Sequence, residues 1–99
     1  MRTRVEVAPQ VEEFLRTLSP QPKRALIQAM KGLAQDRGDR KILEGKLADY
    51  HRLRVAGYRV LYRELTVRGE RIFYCDFAER RSVVYQLFQQ MLVEALSRQ

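Results

Sequence analysis

The stretch HRLRVAGYRVLYR, from His51 to Arg63, alternates arginines with apolar side chains on either side of Ala56-Gly57. A two-residue turn at Ala56-Gly57 makes it a β-hairpin in which Val55 pairs with Tyr58, Arg54 with Arg59, Leu53 with Val60 and Arg52 with Leu61. Successive strand side chains point to opposite faces, so Leu53, Val55, Tyr58, Val60 and Tyr62 share one face and Arg52, Arg54, Arg59 and Arg63 the other. The first set reads as a core face and the second as a positive plate. Like charges directly opposed on paired strands destabilise by up to about 1 kcal/mol, and Thr or Glu opposite Arg54 would avoid that. Two readings stand: a solvated face neutralised by Glu64, Glu70 or Asp76, or a phosphate-binding surface. Guanidinium favours the second, because it is always charged and contacts phosphate through two parallel hydrogen bonds.

Outward from the hairpin, RTRVEV (residues 2–7) is short, alternating and β-branched, which suits an opening strand. Pro9 fits the first turn of a helix with Val11, Phe14, Leu15 and Leu18 on one face. Ser19 is a candidate N-cap for a second helix with Leu26, Ile27, Met30, Leu33 and Ala34 as its stripe, ended by Gly38. Residues 38–49 read as a loop in which Leu43 and Leu47 anchor onto the core. After the hairpin, Arg68-Gly69-Glu70 signals a turn before a third strand, Arg71–Phe77. Glu79-Arg80-Arg81-Ser82 leads into a closing helix with Val84, Leu87, Phe88, Met91, Leu92 and Ala95 on one face. The order β-α-α-β-β-β-α describes one α+β domain over residues 1–99, a mostly antiparallel sheet packed by a helical hairpin and a C-terminal helix.

At 99 residues the chain suffices for one modest core and not for two domains. The 45% hydrophobic content excludes disorder. Nineteen Lys and Arg against 12 Asp and Glu leave a formal charge of +7, which points to a polyanionic or acidic partner. No apolar run approaches the roughly 18 residues of a membrane-spanning helix, and the amino end lacks a signal-peptide core, so no membrane partner and a cytoplasmic location are expected. The lone Cys75 agrees with a reducing compartment. No Gly-rich phosphate loop, CxxC, HExxH or GxSxG occurs, which leaves nucleotide hydrolysis, zinc chemistry and serine hydrolysis without support, and no cofactor or metal is expected.

LEGKLADYHRLRVAGYRVLYRE followed by AERRSVVYQLF resembles the toxins of RelE/ParE-type toxin-antitoxin modules, and element order and length match over nearly the whole chain. The resemblance implies the toxin of a type II module: a ribosome-dependent, metal-independent mRNA endoribonuclease (an mRNA interferase) that inhibits translation or, alternatively, a ParE-like DNA gyrase inhibitor. A diverged RNA-binding module without catalysis is a third reading. It also implies a cognate antitoxin, with the ribosome and mRNA as partners of an interferase.

By position the resemblance assigns catalysis to Arg52, Arg54, Arg59 and Tyr85, plus one arginine just before that tyrosine. Arg80 and Arg81 compete for the last place, and the R-S-x-V-Y spacing favours Arg81; Arg63 and Arg80 are expected to bind RNA. Interferases of this type often carry lysine at one or both of the first two positions, where this sequence has arginine. Arginine stabilises charge but is a poor base, since its pKa exceeds about 12. His51 is the obvious base by pKa, yet alternation points it away from the plate, toward Tyr62. Tyr85 follows core-facing Val84, so packing competes with base stacking. Tyr50, Tyr58, Tyr62 and Tyr74 read as core or sheet packing, Cys75 as inert core, and Glu79 as a solvated charge, a tether for the arginine pair or a base.

Overall fold

Pro9 and Pro20 each open a helix, where a missing N–H is harmless. A computed structural model describes residues 2–98. Strand β1 (Arg2–Val7) is followed by α1 (Pro9–Arg16) and α2 (Pro20–Gly32), then by β2 (Asp39–Ile42), β3 (His51–Val55), β4 (Tyr58–Val67), β5 (Glu70–Arg80) and α3 (Val84–Ser97). The five strands run in the order β1-β5-β4-β3-β2, antiparallel except where β1 pairs parallel with β5. Among the described residues no helix is long and apolar enough to cross a membrane.

The expected α+β architecture is present, with one strand more than expected. The segment read as a loop over residues 38–49 contains β2, an edge strand whose four residues are all exposed. It pairs with β3, Asp39 opposite Arg54 and Lys41 opposite Arg52. A loop was the natural reading of DRKI because a strand with no buried side chain shows no apolar alternation. Gly38 does not end α2, which stops at Gly32 and tightens into a 3₁₀ turn over Leu33–Gln35. Gly38 has φ +113°, and a Cβ there would meet Leu53 Cδ1 at 2.7 Å, so glycine lets the chain enter β2 against the core. Leu47 is buried and Leu43 packs beside it, as their anchoring role required.

The hairpin register is the one the sequence predicts, Val55–Tyr58 through His51–Tyr62. Its two faces differ from expectation in one respect: each carries a core. Val11, Phe14, Leu15, Leu26, Met30 and Leu33 of the helical hairpin cover Leu53, Val60, Tyr62, Phe73 and Cys75. On the opposite, arginine-bearing face, α3 lays Val84 and Phe88 over Leu61 and Phe77. Burying Leu61 contributes about 2 kcal/mol, more than the roughly 1 kcal/mol that opposed arginines cost, so the face tolerates its charges.

The third strand is longer than Arg71–Phe77, reaching from Glu70 to Arg80, and it bulges. Leu61 pairs with Phe77 but Tyr62 with Cys75, which leaves Asp76 as the extra residue. A bulge lets consecutive side chains serve one face. Phe77 thus joins the α3 core while Asp76 meets Arg63 beside it.

Candidate nucleic-acid interface

Leu61 lies between Arg59 and Arg63 on β4 and is fully buried under α3. The plate is therefore two separate groups of arginines rather than one continuous surface. At one end, Arg63 donates from Nε to Asp76 Oδ2 at 3.0 Å and from Nη2 to Asp76 Oδ1 at 2.7 Å. Its guanidinium also lies 5.6 Å from the Tyr50 ring centre and 5.4 Å from that of Tyr74. The carboxylate holds the Arg63 pKa above its ordinary value, while burial pushes the Asp76 carboxyl up and Arg63 pulls against it. Arg63, expected to bind RNA, is engaged here by Asp76 and two tyrosine rings.

At the other end stand Arg52, Arg54, Arg59, Arg81 and Tyr85. Arg59 is 8% exposed, and its Nη1 donates to the carbonyl oxygens of Ala56 (2.9 Å) and Tyr58 (2.8 Å). Among the described residues it pairs with no carboxylate. Burial first, then the charge of Arg54 and less strongly those of Arg52 and Arg81, push its pKa below the ordinary arginine value, with Tyr85 acting the other way. The turn that receives Arg59 is tight: Ala56 holds φ +52°, a left-handed conformation costly for a residue with a Cβ. The amide of Arg81 donates to the Gly57 carbonyl at 2.9 Å, which ties the approach to α3 onto the same turn.

Arg54 and Arg81 are exposed and, among the described residues, make no ion pair. Arg52 is partly engaged, with Nη2 3.0 Å from Asp39 Oδ1, while its buried Nε has no partner. Tyr85 packs on the α3 core and also lines a cleft of about 210 Å³ with Lys41, Ile42, Leu43, Glu44 and Arg52. Both readings of Tyr85, packing and facing a ligand, thus describe its position.

Arg80 sits apart from this cluster. It pairs with Tyr58, lies 6.0 Å from that ring's centre on the side of the helical hairpin, and is 3.7 Å from Glu79. Glu79 accepts a 3.0 Å bond from the Arg80 amide, so it tethers Arg80. His51 stacks on Tyr62 at 5.1 Å on the face away from the arginines, with Nδ1 buried and unpartnered. Cys75 is fully buried, which pushes its thiol up to about 12. No three His, Cys, Asp or Glu side chains among the described residues stand close enough to hold a metal ion.

Sequence reasoning missed Lys41, which β2 places on the arginine face opposite Arg52. The signal that could have found it was the alternation Asp39–Lys41 beside Arg52–Arg54, legible only once a strand is assigned there.

What the cluster offers chemically is concentrated positive charge beside an aromatic ring, suited to a phosphodiester and a neighbouring base. A five-stranded sheet with a helical hairpin on one face and a closing helix on the other is the fold found in solved structures of RelE/ParE-type toxins. A chain of the toxin-antitoxin complex RelBE2 from Mycobacterium tuberculosis superposes with a TM-score of 0.68 at 23% identity, over 82% of this protein and 100% of that chain. A chain of the archaeal RelE-RelB complex from Pyrococcus horikoshii gives 0.62 at 24% identity over 82% and 97%. The YoeB/ParE toxin from Agrobacterium tumefaciens gives 0.65 at 16% identity over 82% and 99%. No protein-family model and no curated protein sequence matches the chain. Likeness at these identities establishes the shared fold, and function rests on the site.

Proposed function

We propose that this protein is the toxin of a type II toxin-antitoxin module and that it cleaves messenger RNA on the translating ribosome. One observation carries the reading: among the described residues the buried Arg59 has no carboxylate partner, and it feels the charges of Arg54, Arg52 and Arg81. Buried charges are normally paired, so a site that keeps three further cations near an unpaired buried one is built for an anion that arrives from outside. The phosphodiester of RNA fits, and the partly exposed ring of Tyr85 gives an adjacent base a surface to stack on.

In the proposed reaction the ribose 2′-oxygen bonds to the adjacent phosphorus, the bond from phosphorus to the 5′-oxygen breaks, and a 2′,3′-cyclic phosphate and a 5′-hydroxyl result. The phosphorane between them carries two negative charges, which Arg54, Arg59 and Arg81 stabilise; preorganised donors of this kind are worth about 100-fold or more each. The ribosome contributes by bending the mRNA so that the 2′-oxygen, phosphorus and 5′-oxygen lie in line. The partners are therefore mRNA, ribosomal RNA and an antitoxin whose acidic segment masks the arginines. Similarity to chains of toxin-antitoxin complexes supports the antitoxin.

The test is primer extension on an mRNA under translation and on the same mRNA without ribosomes. New 5′ ends are expected only in the translating sample, and their loss in Arg54→Ala/Arg81→Ala is part of the expectation. No new ends in either sample, together with inhibition of purified DNA gyrase in a supercoiling assay, would replace RNA cleavage by a gyrase-binding role.

A further inference from the structure

Expelling the 5′-oxygen requires a proton, because an alkoxide is a poor leaving group at neutral pH. The guanidinium groups of Arg52, Arg54, Arg59 and Arg81 can stabilise charge but hold their protons too tightly to transfer one. The donor must come from another group at the site. The cleft beside the arginines is lined by three side chains of transferable-proton chemistry: Lys41, Glu44 and Tyr85. Glu44 offers a carboxylate, which is an acceptor, and Tyr85, partly exposed beside the α3 core, is the stacking surface of the proposed function. Lys41 is exposed, sits on edge strand β2 directly opposite Arg52, and makes no ion pair among the described residues. The carboxylate on its own face of the strand, Asp39, is taken by Arg52, and Asp36 pairs with Arg40. Opposing a lysine to an arginine costs stability, so folding alone does not account for the placement.

We propose that Lys41 is the general acid of the cleavage, an inference that rests on the RNA-cleavage reading above. As the 2′-oxygen bonds to phosphorus its proton passes to water, and as the bond to the 5′-oxygen breaks the Lys41 ammonium delivers a proton to that oxygen. The neutral amine then takes a proton from solvent. A flexible four-carbon stem at the mouth of the cleft lets the ammonium follow the leaving group. The titratable and charged groups around Lys41 are Arg52, Glu44 and Tyr85 in this cleft, Asp39 on its own strand, and Arg40, His51, Tyr62 and Glu64 in a second cleft that Lys41 also lines.

The experiment is single-turnover cleavage of ribosome-bound mRNA by the full chain. Lys41→Arg keeps the charge, and keeps β2 protected as an exposed edge, but removes the transferable proton. Its rate should fall about 100-fold or more while RNA affinity stays unchanged. Lys41→Cys should be equally slow and regain activity on alkylation with 2-bromoethylamine, which rebuilds an amine at that position. Because the new thioether makes the amine less basic, the alkaline limb of the rate profile should move to lower pH. Cys75 is fully buried and does not compete for the reagent. Wild-type cleavage matched by Lys41→Arg, or a slow Lys41→Cys that alkylation leaves slow, overturns the role of Lys41 alone. Absence of cleavage by the wild type overturns the RNA-cleavage reading and Lys41 with it.

Discussion

Arg59 and Arg63 lie four residues apart on one strand and one face, yet their surroundings are opposite. Arg63 is held by both oxygens of Asp76 and by two tyrosine rings, whereas Arg59 is more deeply buried and leans on backbone carbonyls of its own turn. The difference separates an arginine that completes a fold from one that the proposed function leaves to an incoming phosphate. Counting cations on the face would have treated the two alike; asking which of them has a carboxylate does not.

The contrast breaks most directly on activity. Arg54→Ala/Arg81→Ala should reduce mRNA cleavage by about 100-fold or more and flatten the salt dependence of single-stranded RNA binding, by about 0.7 in log–log slope per lost phosphate contact. Arg63→Ala should leave both nearly unchanged, and a folded Arg63→Ala variant with comparable loss of cleavage would erase the distinction.

On stability the order reverses. Removing Arg63 strands the carboxylate of Asp76 and should lower the unfolding free energy by about 2 kcal/mol in urea titrations. Burial already raises the folded-state pKa of Asp76, so without Arg63 the folded protein takes up a proton more readily than the unfolded chain. The defect should therefore shrink as the pH falls from neutrality toward about 4, and a loss independent of pH would show that Asp76 is not its source. Arg59→Ala removes two hydrogen bonds but also relieves the repulsion from Arg54, and should cost about 1 kcal/mol or less. A loss larger than that of Arg63→Ala would make Arg59 a structural residue. Ala56→Gly should raise stability by about 0.5 kcal/mol by releasing the left-handed strain beneath Arg59, and leave cleavage intact.

The smallest effect lies outside the arginine face. Hydrogen bonds from Arg71 hold the exposed Asp36 carboxyl below its ordinary range, so its contribution is present above the unfolded value of about 3.9 and disappears as pH falls through the folded one. Asp36→Asn should thus differ from the wild type slightly at pH 7 and not at all in strong acid. Thermal melts at the two pH values check it.

The hairpin register was legible because Ala56-Gly57 leaves few ways to pair the alternating residues on either side. The helices were legible from their apolar stripes. Strand β2 was not, since DRKI buries nothing and is a strand only by virtue of its neighbour. Nor was the bulge at Asp76, which has no composition of its own and decides that Arg63 is paired. The sequence brought Arg52, Arg54, Arg59, Arg81 and Tyr85 under consideration together by family resemblance. That Arg59 is buried depends on turn carbonyls whose direction no spacing reveals, and that Arg80 faces the other way follows from β5 running on past Phe77.

The parallel pairing of β1 with β5 sets Arg2 beside Glu70 and Val7 beside Cys75. A chain emerging from the ribosome amino end first makes β1 more than sixty residues before its partner β5. Until β5 emerges, β1 has no ladder and β4 lacks its neighbour, so closure of the sheet waits on contacts distant in sequence, the kind that form slowly. Arg81 and Tyr85 follow β5 directly. The arginine cluster can therefore be assembled only after β5 has emerged, so the proposed activity has a delay written into its topology.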